Sequence, residues 1–295
     1  MMWKNTVNFI GCDAEYEEAQ VVLFGAPFDS TTSFRPGTRF AGQAVRNDSY
    51  GLEIYSPYQD KELPENIIYD CGDLEMAVGS PEMALDQIES CVAEIVQDGK
   101  IPFMIGGEHL VTLGSLRAVA EKYPDLHIIH FDAHTDLRQD YLGVRLSHAC
   151  VIRRCWEVLE ESGNKADGRI HQFGIRSGEK EEFRWAREGH TDFHPFTLDG
   201  LEESIEKIGD APVYFTVDLD VMDPSVFPGT GTPEPGGTDF LTTMESVTKV
   251  CERVNLIGCD VNELCPPCDP TGASTAAACK IIREMLIAIA CRIRK

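Results

Sequence analysis

The chain is 295 residues long, and its 49 Asp and Glu against 26 Lys and Arg leave a formal charge of −23. That excess disfavours nucleic acid and anionic membrane surfaces as partners, because like charges repel across such a contact. No apolar run approaches the roughly 18–20 residues that span a bilayer, and the N-terminus shows neither the basic region nor the apolar core of a signal peptide.

From the N-terminus, apolar runs of strand length lie at Val21–Gly25 and Ile67–Tyr69, and a helical pattern covers Pro81–Asp98. A run at Ile101–Ile105, a helix over Leu113–Lys122 and a strand over Leu126–Phe131 follow. Further strands lie at Ile170–Gly174, Val213–Val217 and Asn255–Cys259, with helical patterns at Lys180–Glu188 and Phe240–Arg253. A last helix runs from Ser274 to about Arg294 and is apolar over much of its surface. Pro228–Gly237 reads as an irregular loop. Strand–helix alternation without a linker predicts a single α/β domain over residues 1–295, a three-layer α/β/α arrangement with a mainly parallel central sheet. Ligands then belong beyond the carboxyl ends of the strands. The cysteines, 11 in number and scattered, fit reduced thiols and a cytoplasmic location better than a disulfide framework.

Three of these strands end in chemistry. After Leu126–Phe131 come Asp132, His134 and Asp136; after Val213–Val217 come Asp218 and Asp220; after Ile101–Ile105 comes Gly106-Gly107-Glu108-His109. Side chains at i, i+2 and i+4 share a face of an extended chain. A helix cap or turn needs one oxygen, whereas these segments supply pairs and triples. Four carboxylates and two imidazoles converging at strand ends call for divalent cations as compensation. The donor set lacks thiolate and suits manganese better than a structural zinc site. His130 shares the parity of Asp132 but lies deeper, which makes it a supporting group. Asp223, before Pro224, shapes a turn. His127, His171, His190 and His194 read as packing or surface residues.

The motifs GGEH (106–109), DAHTD (132–136) and DLDVMDP (218–224) resemble those of the ureohydrolases of arginase and agmatinase type, most of all the bacterial agmatinases. Segments 35–40, 173–176, 228–237 and 260–263 extend the resemblance over essentially the whole chain. It implies an arginase-like fold and two Mn2+ per chain. His109, Asp132, Asp136 and Asp218 would hold one ion; His134, Asp132, Asp218 and Asp220 would hold the other. It also implies that Asp136 orients a bridging hydroxide, that Glu263 binds the guanidinium, and that His148 shuttles a proton to the leaving amine. Trimers or hexamers are implied as well.

Guanidinium carbon is protected by resonance, so its hydrolysis needs a hydroxide generated at neutral pH, which two shared cations provide. Two divalent ions against Asp132, Asp136, Asp218 and Asp220 balance formally, and the hydroxide tips the cluster negative, which attracts a small cationic guanidino substrate. Two departures from the family matter. Glu108 stands where Asp is frequent, and Leu137-Arg138-Gln139-Asp140-Tyr141 replaces the asparagine-containing segment with which arginases recognise an α-amino acid. Agmatine, giving urea and putrescine for polyamine biosynthesis, is therefore the expected substrate. N1-aminopropylagmatine and 4-guanidinobutyrate are the alternatives within the family. A single-zinc deacetylase of arginase-like fold would not need His109, Asp136 and Asp220, and a metal-stabilised structural paralogue would lack a ligand. Cys265 and Cys268 read as two buried or loop thiols, and Arg35 and Arg39 as surface or packing residues.

Overall fold

In Val21–Ala26 (β1) every side chain is buried, positions 21 and 23 into one apolar core and positions 22, 24 and 26 into another. The same alternation recurs across the computed structural model, which describes residues 7–163 and 165–294. Ala41–Ser49 (α1) and a small antiparallel hairpin, Tyr55–Ser56 (β2) with Lys61–Glu62 (β3), come next. They are followed by Ile68–Asp73 (β4), Pro81–Gln97 (α2), Ile101–Gly106 (β5), Val111–Lys122 (α3), His127–Phe131 (β6) and Val151–Glu161 (α4). Ile170–Ile175 (β7), Lys180–Trp185 (α5), Asp192–Pro195 (β8), Leu201–Ile208 (α6), Pro212–Asp218 (β9), Phe240–Arg253 (α7), Asn255–Asn262 (β10) and Ala273–Ile293 (α8) complete the series.

Among the described residues, 8 strands form one parallel sheet in the order β4-β1-β5-β10-β9-β6-β7-β8. Helices α2, α3 and α4 cover one face through Ile88, Val92, Leu116, Ile152 and Leu159. Helices α1, α6, α7 and α8 cover the other through Val45, Ile205, Val247 and Ile282. The architecture is three-layer α/β/α. The chain builds outward from β1 and β5 to β8, then returns so that β9 and β10 fill the gap between β5 and β6. That return makes β5, β10, β9 and β6 adjacent at the centre, with all four carboxyl ends on one edge.

Helices α1, α4 and α6 and the β2–β3 hairpin add to the elements named from the sequence, and β8 and α5 differ from its expectation. Strand β8 carries Asp192, Phe193, His194 and Pro195, with no apolar run to announce it. It is an edge strand, paired to β7 and held by His194 stacking on Phe173 at 4.5 Å between ring centres. The helical pattern over Lys180–Glu188 leaves α-helical geometry after Trp185, in a wider turn where Gly189 has φ 97°. Helix α8 is buried at every position from 281 to 290, Arg283 and Glu284 included. Those two pair with each other, and Glu284 also accepts the Ser56 hydroxyl at 2.6 Å and the Gln59 amide at 2.8 Å. Their neutralising contacts explain how charge sits on an all-buried helix. No helix among the described residues is long and apolar enough to cross a membrane.

The glycine pair after β5 is a packing requirement. Glu108 N–H donates to the Phe28 carbonyl at 2.8 Å, and Glu263 N–H donates to the Gly107 carbonyl at 3.1 Å. A Cβ on Gly107 would lie 1.9 Å from the Phe28 oxygen. Gly107→Ala is expected to lower the unfolding free energy by about 1–3 kcal/mol, the usual cost of overpacking, read as a lower urea midpoint at unchanged slope. An unchanged midpoint would show that the Phe28 segment moves aside freely.

Candidate metal centre

His109 is fully buried where the chain leaves β5. Its Nε2 lies 2.9 Å from Thr216 Oγ1. The Thr216 hydroxyl donates to Asp260 Oδ1 at 2.6 Å, the Asn262 amide donates to the same oxygen at 2.6 Å, and Tyr214 donates to Oδ2 at 2.6 Å. With its own hydrogen committed to Asp260, Thr216 accepts from His109, which assigns the proton to Nε2 and a lone pair to Nδ1. That Nδ1 is buried with no hydrogen-bond partner. It faces Asp132 Oδ2 at 3.1 Å, Asp136 Oδ2 at 3.2 Å and Asp218 Oδ2 at 3.4 Å. Four lone-pair donors aimed at one another in a buried site fit a cation between them.

Asp132 turns its second oxygen the other way. Oδ1 accepts His134 N–H at 2.6 Å and lies 3.4 Å from His134 Nδ1, which is also 3.0 Å from Asp220 Oδ2. Asp132, His134 and Asp220 thus form a second group of donors within 4.8 Å of one another. Asp218 spends Oδ1 on the Asp220 N–H at 2.9 Å, and Asp220 Oδ1 accepts Ala133 N–H at 3.1 Å. The six residues singled out in the sequence come together as two clusters joined through Asp132. His130 is close to the first cluster as well, but it is engaged. Gln172 Nε2 approaches its Nδ1 at 3.1 Å and Thr135 O at 2.9 Å, leaving His130 Nε2–H to donate to Asp132 Oδ2 at 2.8 Å. It orients a carboxylate, as a supporting group does.

The electrostatics report an excess of negative charge. Burial, then the neighbouring Asp220 and Asp132, pushes the Asp218 carboxyl well above its ordinary range, and burial raises Asp220 too. Burial opposes a charge on His109, yet its contacts with Asp132, Asp136 and Asp218 outweigh that and raise its proton affinity. His134 behaves alike, with Asp220 and Asp132 overcoming burial.

A cleft of about 200 Å³ opens over these clusters, lined by residues including Ser33, Asp136, Arg138, Tyr141 and His148. Ser33 N–H and Ser33 Oγ lie 3.1 and 2.9 Å from His148 Nε2, and His148 Nδ1 lies 3.7 Å from Glu263 Oε1. Burial opposes protonation of His148, and Glu263 more than offsets it. Glu263 is itself buried and accepts the His109 N–H at 2.8 Å. Both Asp136 (φ 52°) and Glu263 (φ 64°) are held in the left-handed region, at a cost of about 1–3 kcal/mol each. Glu108 points away from the clusters. Its carboxylate takes the Thr31 N–H at 2.8 Å and the Thr31 hydroxyl, while Thr31 Oγ1 accepts His148 N–H at 3.2 Å. Burial raises Glu108 to about 7 against those hydrogen bonds. The longer side chain thereby ties the loop carrying Ser33 to the histidine.

Further residues support the site or lie apart from it, and among them Glu182 had no distinct signal in the sequence. Arg176 spreads its guanidinium over the carbonyls of Asp220 (2.7 Å), Val221 (3.2 Å) and Glu234 (2.8 Å), fixing the 228–237 loop beside the site. Glu182 accepts Thr135 Oγ1–H at 2.7 Å and Leu137 N–H at 3.0 Å, steadying the segment around Asp136. Asp223 accepts N–H groups of Ser225, Gly236 and Gly237 at 2.9, 2.7 and 3.2 Å, a turn-forming role. Arg39 pairs with the buried Asp29, and exposed Arg35 lies over Phe34. His171 meets Asp192 at 2.9 Å and His190 meets Asp167 at 2.7 Å, both remote from the clusters in sheet order.

Comparison with known proteins follows the same lines. A model of the arginase family matches residues 19–288. An agmatinase of Bacillus subtilis is 44% identical over 281 residues, 95% of each chain. An N(1)-aminopropylagmatine ureohydrolase of Thermococcus kodakarensis is 36% identical over 269 residues, 89% of each chain. The solved structure of an agmatine ureohydrolase of Thermoplasma volcanium superposes with a TM-score of 0.88 at 32% identity, covering 99% of this chain and 97% of that one.

Proposed function

The chain belongs to the arginase family and is a hydrolase of guanidino compounds, and from that premise we propose that it cleaves agmatine to urea and putrescine. The observation that carries this choice is the pairing of Arg138 on the cleft wall. With the charges of Asp136 and Asp218 committed to the metal, Glu182 and Arg138 remain, and Arg138 lies 3.0 Å from Glu179 and 3.6 Å from Glu182. A carboxylate tail meets an arginine whose charge is already offset, whereas an ammonium tail meets no unpaired cation there. The similarity to agmatinases supports the same choice. On this reading the enzyme is cytoplasmic, serves polyamine biosynthesis, folds as one catalytic domain over residues 1–295 and assembles as a trimer or hexamer.

The donor sets fit manganese. His109, Asp132, Asp136 and Asp218 would hold one ion, and His134, Asp132, Asp218 and Asp220 the other. Such a pair of cations supplies a water acidified toward neutrality and an electrophilic contact for the substrate. The side chains do the rest. Asp136 accepts a hydrogen bond from the nucleophile and points it at the guanidinium carbon. Glu263 pairs with the guanidinium and fixes its plane. As the bond from carbon to the alkyl nitrogen breaks, His148, protonated on both ring nitrogens beside Glu263, gives its Nδ1 proton to the departing amine, is left as neutral imidazole and takes up a new proton from solvent through the cleft.

Urea release at matched pH and manganese tests the substrate. Agmatine is expected to exceed L-arginine in kcat/KM by at least ~100-fold, about 2.7 kcal/mol, with 4-guanidinobutyrate also poor. Equal turnover of arginine would sink the agmatine reading and leave a ureohydrolase. Arg138 on the cleft wall is the feature that would favour 4-guanidinobutyrate, and faster turnover of N1-aminopropylagmatine than of agmatine would move the assignment to that longer substrate.

A further inference from the structure

We propose that Cys265 and Cys268 form a reversible redox site, closed to a disulfide by a disulfide-bearing oxidant and reopened by thiols. Their Sγ atoms lie 2.9 Å apart across the turn Cys265-Pro266-Pro267-Cys268, and Cys268 N–H donates to the Cys265 carbonyl at 2.9 Å. Two consecutive prolines fix φ along the turn, so the sulfurs are held facing each other. A disulfide is about 2.05 Å long, so closure asks the sulfurs to approach by under ~1 Å. Cys265 is buried and Cys268 half-buried, which gives the two thiols different roles.

Cys268, the accessible one, attacks a sulfur of the oxidant as thiolate and expels the first thiol. Cys265 then loses its proton, attacks the Cys268 sulfur in the mixed disulfide and expels the second. Two thiols of the chain become one disulfide with loss of two hydrogens, and the oxidant's disulfide becomes two thiols. Burial, then the neighbouring Cys268, pushes the Cys265 thiol up to about 12, in keeping with its role as the second, resolving sulfur.

Cys265 packs against the loop that carries Ser33 to the cleft. Cys265 Sγ is 3.6 Å from the Pro36 carbonyl, and a Cβ on Gly37 would lie 2.8 Å from that sulfur. Cys265 N–H donates to the Gly229 carbonyl at 2.7 Å, and two residues earlier stands Glu263 in its left-handed conformation. Closure shifts Cys265 Sγ and the turn that bears it, both of which pack on Pro36 and Gly37, and Ser33 of the same loop hydrogen-bonds His148. Closure therefore loosens substrate binding and leaves the metal ligands in place.

The test uses the full chain, reduced and manganese-loaded, incubated with glutathione disulfide, alkylated, and mapped with a protease that cuts after Glu263 and before Cys279. The fragment holding Cys265 and Cys268 is expected to resist alkylation and to be lighter by two hydrogens, both reversed by dithiothreitol. Cys265→Ser should trap glutathione on Cys268, and Cys268→Ser should leave Cys265 unmodified. Two alkylated thiols after incubation, or a lasting glutathione adduct in the wild type, would overturn the site whatever the enzyme's substrate. In the linked form KM for the guanidino substrate is expected to rise at least ~threefold at unchanged manganese content, in the wild type and not in Cys268→Ser. An unchanged KM would overturn the coupling to the cleft.

Discussion

Replacing Asp218 with Asn is expected to strip manganese from both positions and slow urea release at least ~1,000-fold, about 4 kcal/mol. The carboxylate presents Oδ2 to His109 Nδ1 at 3.4 Å and holds the Asp220 N–H on Oδ1 at 2.9 Å. Asn keeps the size and one accepting oxygen, so the backbone turn survives while the charge shared by two cations is gone. Asp220→Asn should mainly weaken the ion beside His134. Elemental analysis after gel filtration and calorimetric titration with manganese read both variants. Because burial and neighbouring carboxylates disfavour a charged Asp218 in the metal-free protein, the metal-free Asp218→Asn variant should melt no lower than the wild type. That control separates loss of ligands from loss of fold. A full manganese complement with normal turnover would remove Asp218 from the bridging role.

Glu263→Gln should leave manganese bound while kcat/KM falls by at least ~100-fold, near 3 kcal/mol, the scale of a charge-assisted pair lost in the transition state. The amide oxygen of Gln still accepts the His109 N–H that Glu263 holds at 2.8 Å, so His109 keeps its position. If manganese is lost together with activity, Glu263 acts through His109 and not on the guanidinium. His148→Ala differs in kind: kcat should fall with metal content intact, and added imidazole should recover part of the rate.

The candidate ligands were legible because they are local. Asp132, His134 and Asp136 need only the two-residue period of an extended chain, and Asp218 and Asp220 repeat it. The sheet was legible wherever strands were buried on both faces and so ran apolar. Strand β8 lies at the edge, half-buried, and its Asp, His and Pro carry no such run. What the sequence hid was long-range partnership. Glu263 meets His109 across 154 positions, and Thr216 and Asp260 set the His109 tautomer from two other strands. The reach of Glu108 to Thr31 also depends on how two loops meet, which no spacing encodes. The same holds for Cys265 and Cys268, whose spacing was plain but whose opposed sulfurs were not.

The return of the chain to fill the middle of the sheet has a consequence for how such a molecule can change. The proposed ligands and Glu263 hang from four interior strands locked on both sides by their neighbours. The rim of the cleft, at Ser33, Arg138, Tyr141, Gly178 and Thr232, comes from connecting segments outside the sheet, two of them joined by the single bridge His134–Ser177. A lineage can therefore exchange one rim segment at a time and try new tails on the same reaction, while the inherited cluster stays shielded from the trial.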